Sequence, residues 1–173
     1  MPHIDLDKNL PGMRALLAFR PEIAPSLSEL TNTLLRDQDG LSPADRELIA
    51  MHVSHLNDCF YCCQSHGAIA CEYLGNKELV EQVKNDYQSS PVSDKLKALL
   101  CVAGSVQKSG KSVMPEQIDA AKIQGATDRE IHDTVLIAAL FSMFNRYVDG
   151  LAANTPTDLS TYPPRAKEVA AHG

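Results

Sequence analysis

Helix-opening signals recur along this chain, and no stretch alternates apolar and polar residues at period two, so the backbone is constrained to helices. Ser42 with Pro43 behind it and Asp45 three residues after the cap opens a helix predicted to run to about Leu56. Asn57-Asp58 breaks the pattern, and Asp58 is expected to cap a helix from Cys59 to Leu74 that Gly75 ends. Upstream, Pro21 to Arg36 reads as the first helix, with Ile23, Leu27, Leu30 and Leu34 along one face and a break at Asp37 to Gly40. Downstream, helices are expected at Lys77 to Tyr87, at Asp94 to Lys108 behind Ser93, and at Pro115 to Gln124 before Gly125. A Thr127-Asp128-Arg129-Glu130 capping box opens the last long helix, which continues to about Ala153. From Asn154 the tail carries Pro156, Pro163 and Pro164 and reads as an irregular arm.

The expectation is an all-α, single-domain helical bundle over residues 1–153 with a C-terminal arm over 154–173. At 173 residues and 44% hydrophobic the chain can bury one core and is short for two. Aromatics make up only 5%, which favours helices packed through small and aliphatic side chains. A net charge of −6, with Lys and Arg scattered, speaks against nucleic acid. The apolar stretch from Val135 to Phe144 is too short for a bilayer, and Met1 to Asp7 has no signal-peptide pattern, so a soluble, cytoplasmic protein is expected. Asp45-Arg46-Glu47 and Asp128-Arg129-Glu130 both follow a cap, a likeness that either internal duplication or shared capping preference explains.

Chemistry concentrates in the predicted hairpin. Glu47, Cys59, Cys62 and His66 form a Glu-x11-Cys-x2-Cys-x3-His array. At about 100° per residue, Cys59, Cys62, Cys63 and His66 share one helix face. In a first helical turn, unpaired amides and the positive dipole end favour a thiolate, and His66 one turn beyond Cys62 can favour it further or pass on its proton. Glu47 lies about as far before the turn as His66 lies after it, so an antiparallel hairpin brings carboxylate and imidazole to one depth. The carboxylate could then fix the ring's tautomer or relay a proton. Five cysteines, three of them clustered, do not resemble a secreted disulfide framework.

The stretches Ser42-Pro43-Ala44-Asp45-Arg46-Glu47-Leu48-Ile49-Ala50 and Asn57-Asp58-Cys59-Phe60-Tyr61-Cys62-Cys63-Gln64-Ser65-His66 resemble the active-site region of the alkylhydroperoxidase D-like proteins. These belong to the carboxymuconolactone decarboxylase superfamily, and the resemblance is to its peroxidase-related branch, with Arg20-Pro21-Glu22 and Phe144-Asn145-Arg146 as weaker agreements. It implies an alkylhydroperoxidase D-like helical fold and a homo-oligomer, whether dimer, trimer or hexamer. It also implies a peroxidase cycle with no haem or metal: Cys62 would attack a hydroperoxide, Cys59 would resolve the sulfenic acid to a disulfide, and His66 with Glu47 would relay protons. A thiol or lipoyl-type donor would restore the dithiol. The family's prototype has a His between its cysteines, where this chain has Tyr61.

Other readings attach to the same residues. His52, His55, Cys59, Cys62 and His66 supply enough ligands for zinc, which would make a metal-binding or redox-sensing module. The superfamily name also admits lactone decarboxylation, which calls for a base and anion-binding groups rather than a dithiol. His52 and His55 read as helix-face residues, Cys71 and Cys101 as small buried hydrophobes, and Met51, Phe141, Met143 and Phe144 as packing. His132 reads as structural. Asn145 and Arg146 are polar in an apolar helix, suited to an interface or to a pocket wall. Cys63 is a third thiol, a bystander or a substitute resolver.

Overall fold

The computed structural model describes residues 1–172, and among them every regular element is a helix. In chain order these are α1 (Met13–Phe19), α2 (Ala24–Arg36), α3 (Pro43–Leu56), α4 (Phe60–Leu74), α5 (Lys77–Asp86), α6 (Asp94–Lys108), α7 (Pro115–Ile123), α8 (Asp128–Gly150) and α9 (Tyr162–His172), with short 3₁₀ turns at Gly110–Ser112 and Leu159–Thr161. No helix is long and apolar enough to cross a membrane among the described residues.

The strongest caps form as expected. Ser42 accepts from the Asp45 amide at 3.1 Å, Ser93 from Leu96, and Thr127 and Glu130 close a reciprocal box. Their registers separate the two Asp-Arg-Glu tripeptides. Asp45 stands third after its cap, whereas in the second copy Glu130 does, so the two are offset by two positions along their helices. Arg46 is fully buried and Arg129 exposed, so capping preference rather than a duplicated unit accounts for the likeness.

α3 is the axis of the bundle. Every residue from Ala44 to Ser54 except Asp45 is buried, and α4, α6 and α8 pack round it through Leu48, Ile49, Val53, Leu99, Leu100, Ile137 and Phe141. A helix enclosed on all sides must satisfy any polar side chain it carries. Arg46 does so through carbonyls of Leu34, Leu41 and Asp39 and the carboxylate of Asp133.

Several boundaries differ from expectation, for identifiable reasons. The helix expected from Pro21 starts at Ala24, because Pro25 lacks an amide proton and fits only the first turn. On α2, Leu27 and Leu34 turn inward while Leu30 stays exposed. Asp58 does not cap α4: it takes a left-handed φ of 58° to reverse the chain, and Cys59 itself is the N-cap residue. The short α1 was not anticipated. It follows Gly12, whose φ is 49° and where a Cβ would lie 2.2 Å from the Tyr61 ring.

The C-terminal segment is a correction. Residues 162–172 form α9 instead of an irregular arm, with Gly173 outside the described residues. Pro163 and Pro164 occupy the first turn, where missing amide protons leave no bond unmade, so they start a helix rather than preventing one. α9 lies on α4 through Tyr162 and Ala166, and the Tyr162 hydroxyl donates to the Pro156 carbonyl at 2.8 Å.

Candidate active site

The α3–α4 hairpin closes tightly. The amides of Asn57, Asp58 and Cys59 donate to the carbonyls of Val53, His55 and Ser54, each at 3.0 Å. This turn sets the depth relation between the two helices. The His66 Nδ1 lies 2.6 Å from one Glu47 carboxylate oxygen, and the Arg36 guanidinium lies 2.6 Å from the other. Glu47 is fully buried, so two partners on its two oxygens are what allow a carboxylate there. Arg36, the last residue of α2, gave no sequence signal, because its role depends on where α2 ends against α3. Phe141 packs edge-on to the His66 ring, with centroids 4.5 Å apart, and fixes its plane.

The two motif sulfurs lie side by side in a small apolar cluster of Leu6, Ala15, Leu16, Val148 and Ala153, in which Cys59 is wholly buried and Cys62 is 4% exposed. Their side chains are within hydrogen-bonding reach of each other, and the pair is chemically unequal. The thiol of Cys59, the charge of His66 and the side chain of Asn145 hold the Cys62 pKa below the ordinary thiol value, against burial and the charge of Asp149. Cys59 is pushed up, first by its contact with the Cys62 sulfur and then by burial. These surroundings therefore favour a thiolate at Cys62 rather than at both cysteines.

Asn145 is the polar residue of the α8 interior whose function the sequence left open. It donates to Ser54 Oγ at 3.0 Å and accepts from Asn57 at 2.8 Å, and Gln107 donates in turn to Asn57. These bonds orient its side chain toward Cys62. Arg146, one residue on, is exposed and donates to the Ser142 carbonyl at 2.7 Å.

Cys62 and His66 open onto a cavity of about 350 Å³. Its walls are largely apolar, with Leu27, Leu35, Ile69, Phe141, Phe144 and Val169 among them, and Arg36, Thr31 and Arg165 contribute polar groups. The unanticipated α1 and α9 both supply wall residues. Cys63 leaves the shared face: it joins the main core and lines a different cavity, with Met51 and Cys71, and burial pushes its pKa up to about 11.

The remaining candidates separate from the site. His52 is buried, with its ring edge-on to Tyr87 at 5.0 Å and its Nδ1 unpartnered, whereas His55 is exposed. Among the described residues no three His, Cys, Asp or Glu side chains are arranged to hold a metal ion, so the zinc set does not assemble. Cys71 and Cys101 are half-buried, Met143 is exposed, and His132 contacts Asp133 at 3.1 Å on the surface. Sequence reasoning also missed Asp149, in the last turn of α8, whose charge works against the lowered pKa of Cys62.

The site therefore combines a Cys-x-x-Cys pair at the head of a helical hairpin, a buried Glu–His pair behind it and an apolar cavity in front. Comparison with known proteins bears on the fold that carries it. Residues 21–83 match the Carboxymuconolactone decarboxylase family. An uncharacterized peroxidase-related protein from Silicibacter sp. TM1040 superposes with a TM-score of 0.79 at 26% identity, covering 88% of this chain and 78% of that one. An alkylhydroperoxidase AhpD core protein from Ralstonia eutropha JMP134, also peroxidase-related and uncharacterized, gives a TM-score of 0.79 at 27% identity, covering 87% and 79%. The debrominase Bmp8 shares the fold at a TM-score of 0.77 and 18% identity, covering 91% and 83%. No curated protein matches the chain in sequence. The chain thus has the alkylhydroperoxidase D-like helical fold of these proteins, and its likeness to the Carboxymuconolactone decarboxylase family lies in residues 21–83.

Proposed function

We propose that this protein is a thiol-dependent peroxidase that reduces organic hydroperoxides through the Cys59–Cys62 dithiol, in antioxidant defence. The observation that carries the reading is the inequality of the two sulfurs: the one with the lowered pKa faces the apolar cavity, beside an imidazole backed by a buried carboxylate. In the first step the Cys62 thiolate attacks the distal peroxide oxygen, the O–O bond breaks, and a proton delivered by His66 leaves with the alkoxide as an alcohol. Glu47, held by Arg36, steadies the imidazolium before that transfer. In the second step Cys59 attacks the Cys62 sulfenic acid, water leaves, and a disulfide forms. A dithiol donor, a small thiol or a lipoyl-type group, then returns two electrons and two protons, with no haem or metal taking part. The apolar walls suit a hydroperoxide with a hydrocarbon body better than hydrogen peroxide alone.

The reading places the protein in the reducing cytoplasm, as a homo-oligomer for which exposed Leu136 and Met143 on α8 offer apolar surface. Lactone decarboxylation has less support, because Arg36 is already engaged by Glu47 and Arg165 pairs with Glu168. The deciding experiment follows loss of cumene hydroperoxide with dithiothreitol or dihydrolipoamide as donor. Cys62→Ser is expected to lose all turnover and Cys59→Ser to stop after one equivalent. Wild-type rates in both variants would refute the assignment.

A further inference from the structure

α4 presents two adjacent stripes to two adjoining cavities. Cys62, His66 and Ile69 line the hydroperoxide cavity of about 350 Å³, while Tyr61, Ser65 and Ile69 line a side pocket of about 90 Å³. The two cavities share Tyr61, Ile69 and Arg165, so they meet along a line that starts one residue from the nucleophilic sulfur. At 1.5 Å per residue, that line from Tyr61 to Ile69 runs about 12 Å. The side pocket is completed by the two helices that the sequence did not announce. α1 is pinned beside Tyr61, because Gly12 leaves no room for a Cβ against that ring and its amide donates to the Asn154 carbonyl at 2.8 Å. Arg14 follows in the first turn of α1, and α9 brings Arg165.

The charge of these walls is opposite to that of the chain. The sequence carries 22 acidic and 16 basic residues, yet among the described residues no Asp or Glu lines either cavity, whereas Arg14, Arg36 and Arg165 do. Arg36 is engaged by Glu47, which leaves Arg14 and Arg165 for a ligand. Glu168 contacts Arg165 at 2.9 Å from outside both linings, but both side chains are mostly exposed, so the pair is weak, and it occupies one of the two terminal nitrogens. Burial raises the pKa of the Tyr61 phenol, and the Ser65 side chain and the charges of Arg14 and Arg165 oppose it, so both guanidiniums act on a hydroxyl of the side pocket. That pocket has the volume of roughly three waters, which suits a carboxylate and little more. We propose that the substrate is a hydroperoxide that also carries a carboxylate: its peroxide group meets Cys62, its hydrocarbon body lies on the apolar wall, and its carboxylate is held in the side pocket by Arg14 and Arg165.

The inference rests on the peroxidase reading and deepens it by naming the substrate class, and the experiment separates the two. The ratio kcat/KM is measured for 8-hydroperoxyoctanoic acid and for its methyl ester, with uncharged dithiothreitol as donor. The proteins compared are wild type, Arg14→Gln, Arg14→Lys and the double variant of Arg14→Gln with Arg165→Gln. Wild type is expected to favour the acid by about 10- to 100-fold, mostly through KM. Arg14→Gln should cut that preference about 10-fold and the double variant should abolish it, whereas Arg14→Lys should keep part of it. Because the readout compares two substrates of one length in the same protein, a general loss of fold or turnover does not move it. Equal use of acid and ester by wild type, or a preference that the variants leave intact, would overturn the proposal. So would an Arg14-dependent preference for dihydrolipoate over dihydrolipoamide with cumene hydroperoxide as substrate, which would assign the pocket to the donor's carboxylate. If wild type turns over none of these hydroperoxides, the peroxidase reading falls, and this inference with it.

Discussion

Arg46 and Glu47 are neighbours on α3, both without solvent exposure, and they do opposite things. Arg46 turns toward the α2–α3 connection and α8, where three carbonyls and the Asp133 carboxylate take its donors. None of these groups lines the cavity onto which Cys62 and His66 open, and the cluster stitches a loop and two helices together. Glu47 turns toward α2 and α4, and its partners lead outward: Arg36 to a cavity wall, and His66 to the same cavity beside Cys62. Burial of charge is common to both. A closed circuit of hydrogen bonds makes a clamp, whereas the one that ends at an imidazole beside a sulfur is the proton path proposed above.

The largest expected effect is at the clamp. Arg46→Met leaves the Asp133 carboxylate and three carbonyls without their partner, and a loss of about 3–5 kcal/mol is expected in denaturant unfolding. Glu47→Gln should preserve the fold, as circular dichroism would show, while lowering kcat/KM for cumene hydroperoxide about 100-fold. Should the two variants lose stability and activity in equal proportion, the distinction between clamp and relay would be broken.

A second pair of residues sharpens the contrast, since His66 has a carboxylate partner and His52 has none. Burial, assisted by the charge of His55, lowers the His52 pKa to about 4, whereas the unfolded chain takes up that proton near 6.5. The neutral ring's contribution is complete above the unfolded value and is lost as pH falls toward the folded one. Wild type is therefore expected to lose up to about 3 kcal/mol more than His52→Gln between about pH 7 and about pH 4. Parallel stability curves for the two proteins would contradict this. The smallest effect belongs to Arg129, the counterpart of Arg46 in the second Asp-Arg-Glu tripeptide. It pairs with Asp37 on the surface, and Arg129→Ala should leave the melting temperature unchanged within error.

What could be read in the sequence was what is local. Ser42, Ser93, Thr127 and Gly75 announce helix ends through their own backbone partners, and those ends lie where expected. Glu47 and His66 meet because a tight hairpin turns helical rise into depth, so counting residues sufficed. Arg36, Asp149 and the walls from α1 and α9 were illegible because each depends on where one helix ends against another. The prolines at 163 and 164 misled because the same missing amide proton breaks a helix in its middle and is harmless in its first turn. Cys63 was placed on the shared face by angle alone, whereas packing against Met51 and α5 turns its surroundings into a separate compartment.

The central claim is that one of two adjacent sulfurs is the reactive one, and alkylation tests it most directly. Reduced protein is treated with limiting iodoacetamide across a pH series, and the modified residues are mapped by mass spectrometry. Cys62 is expected to react first, with a midpoint below the ordinary thiol value that rises toward it in Glu47→Gln, while Cys59 and Cys63 stay unmodified in the folded protein. Equal labelling of Cys59 and Cys62, or a Cys62 midpoint at or above that of a free thiol, would contradict the account.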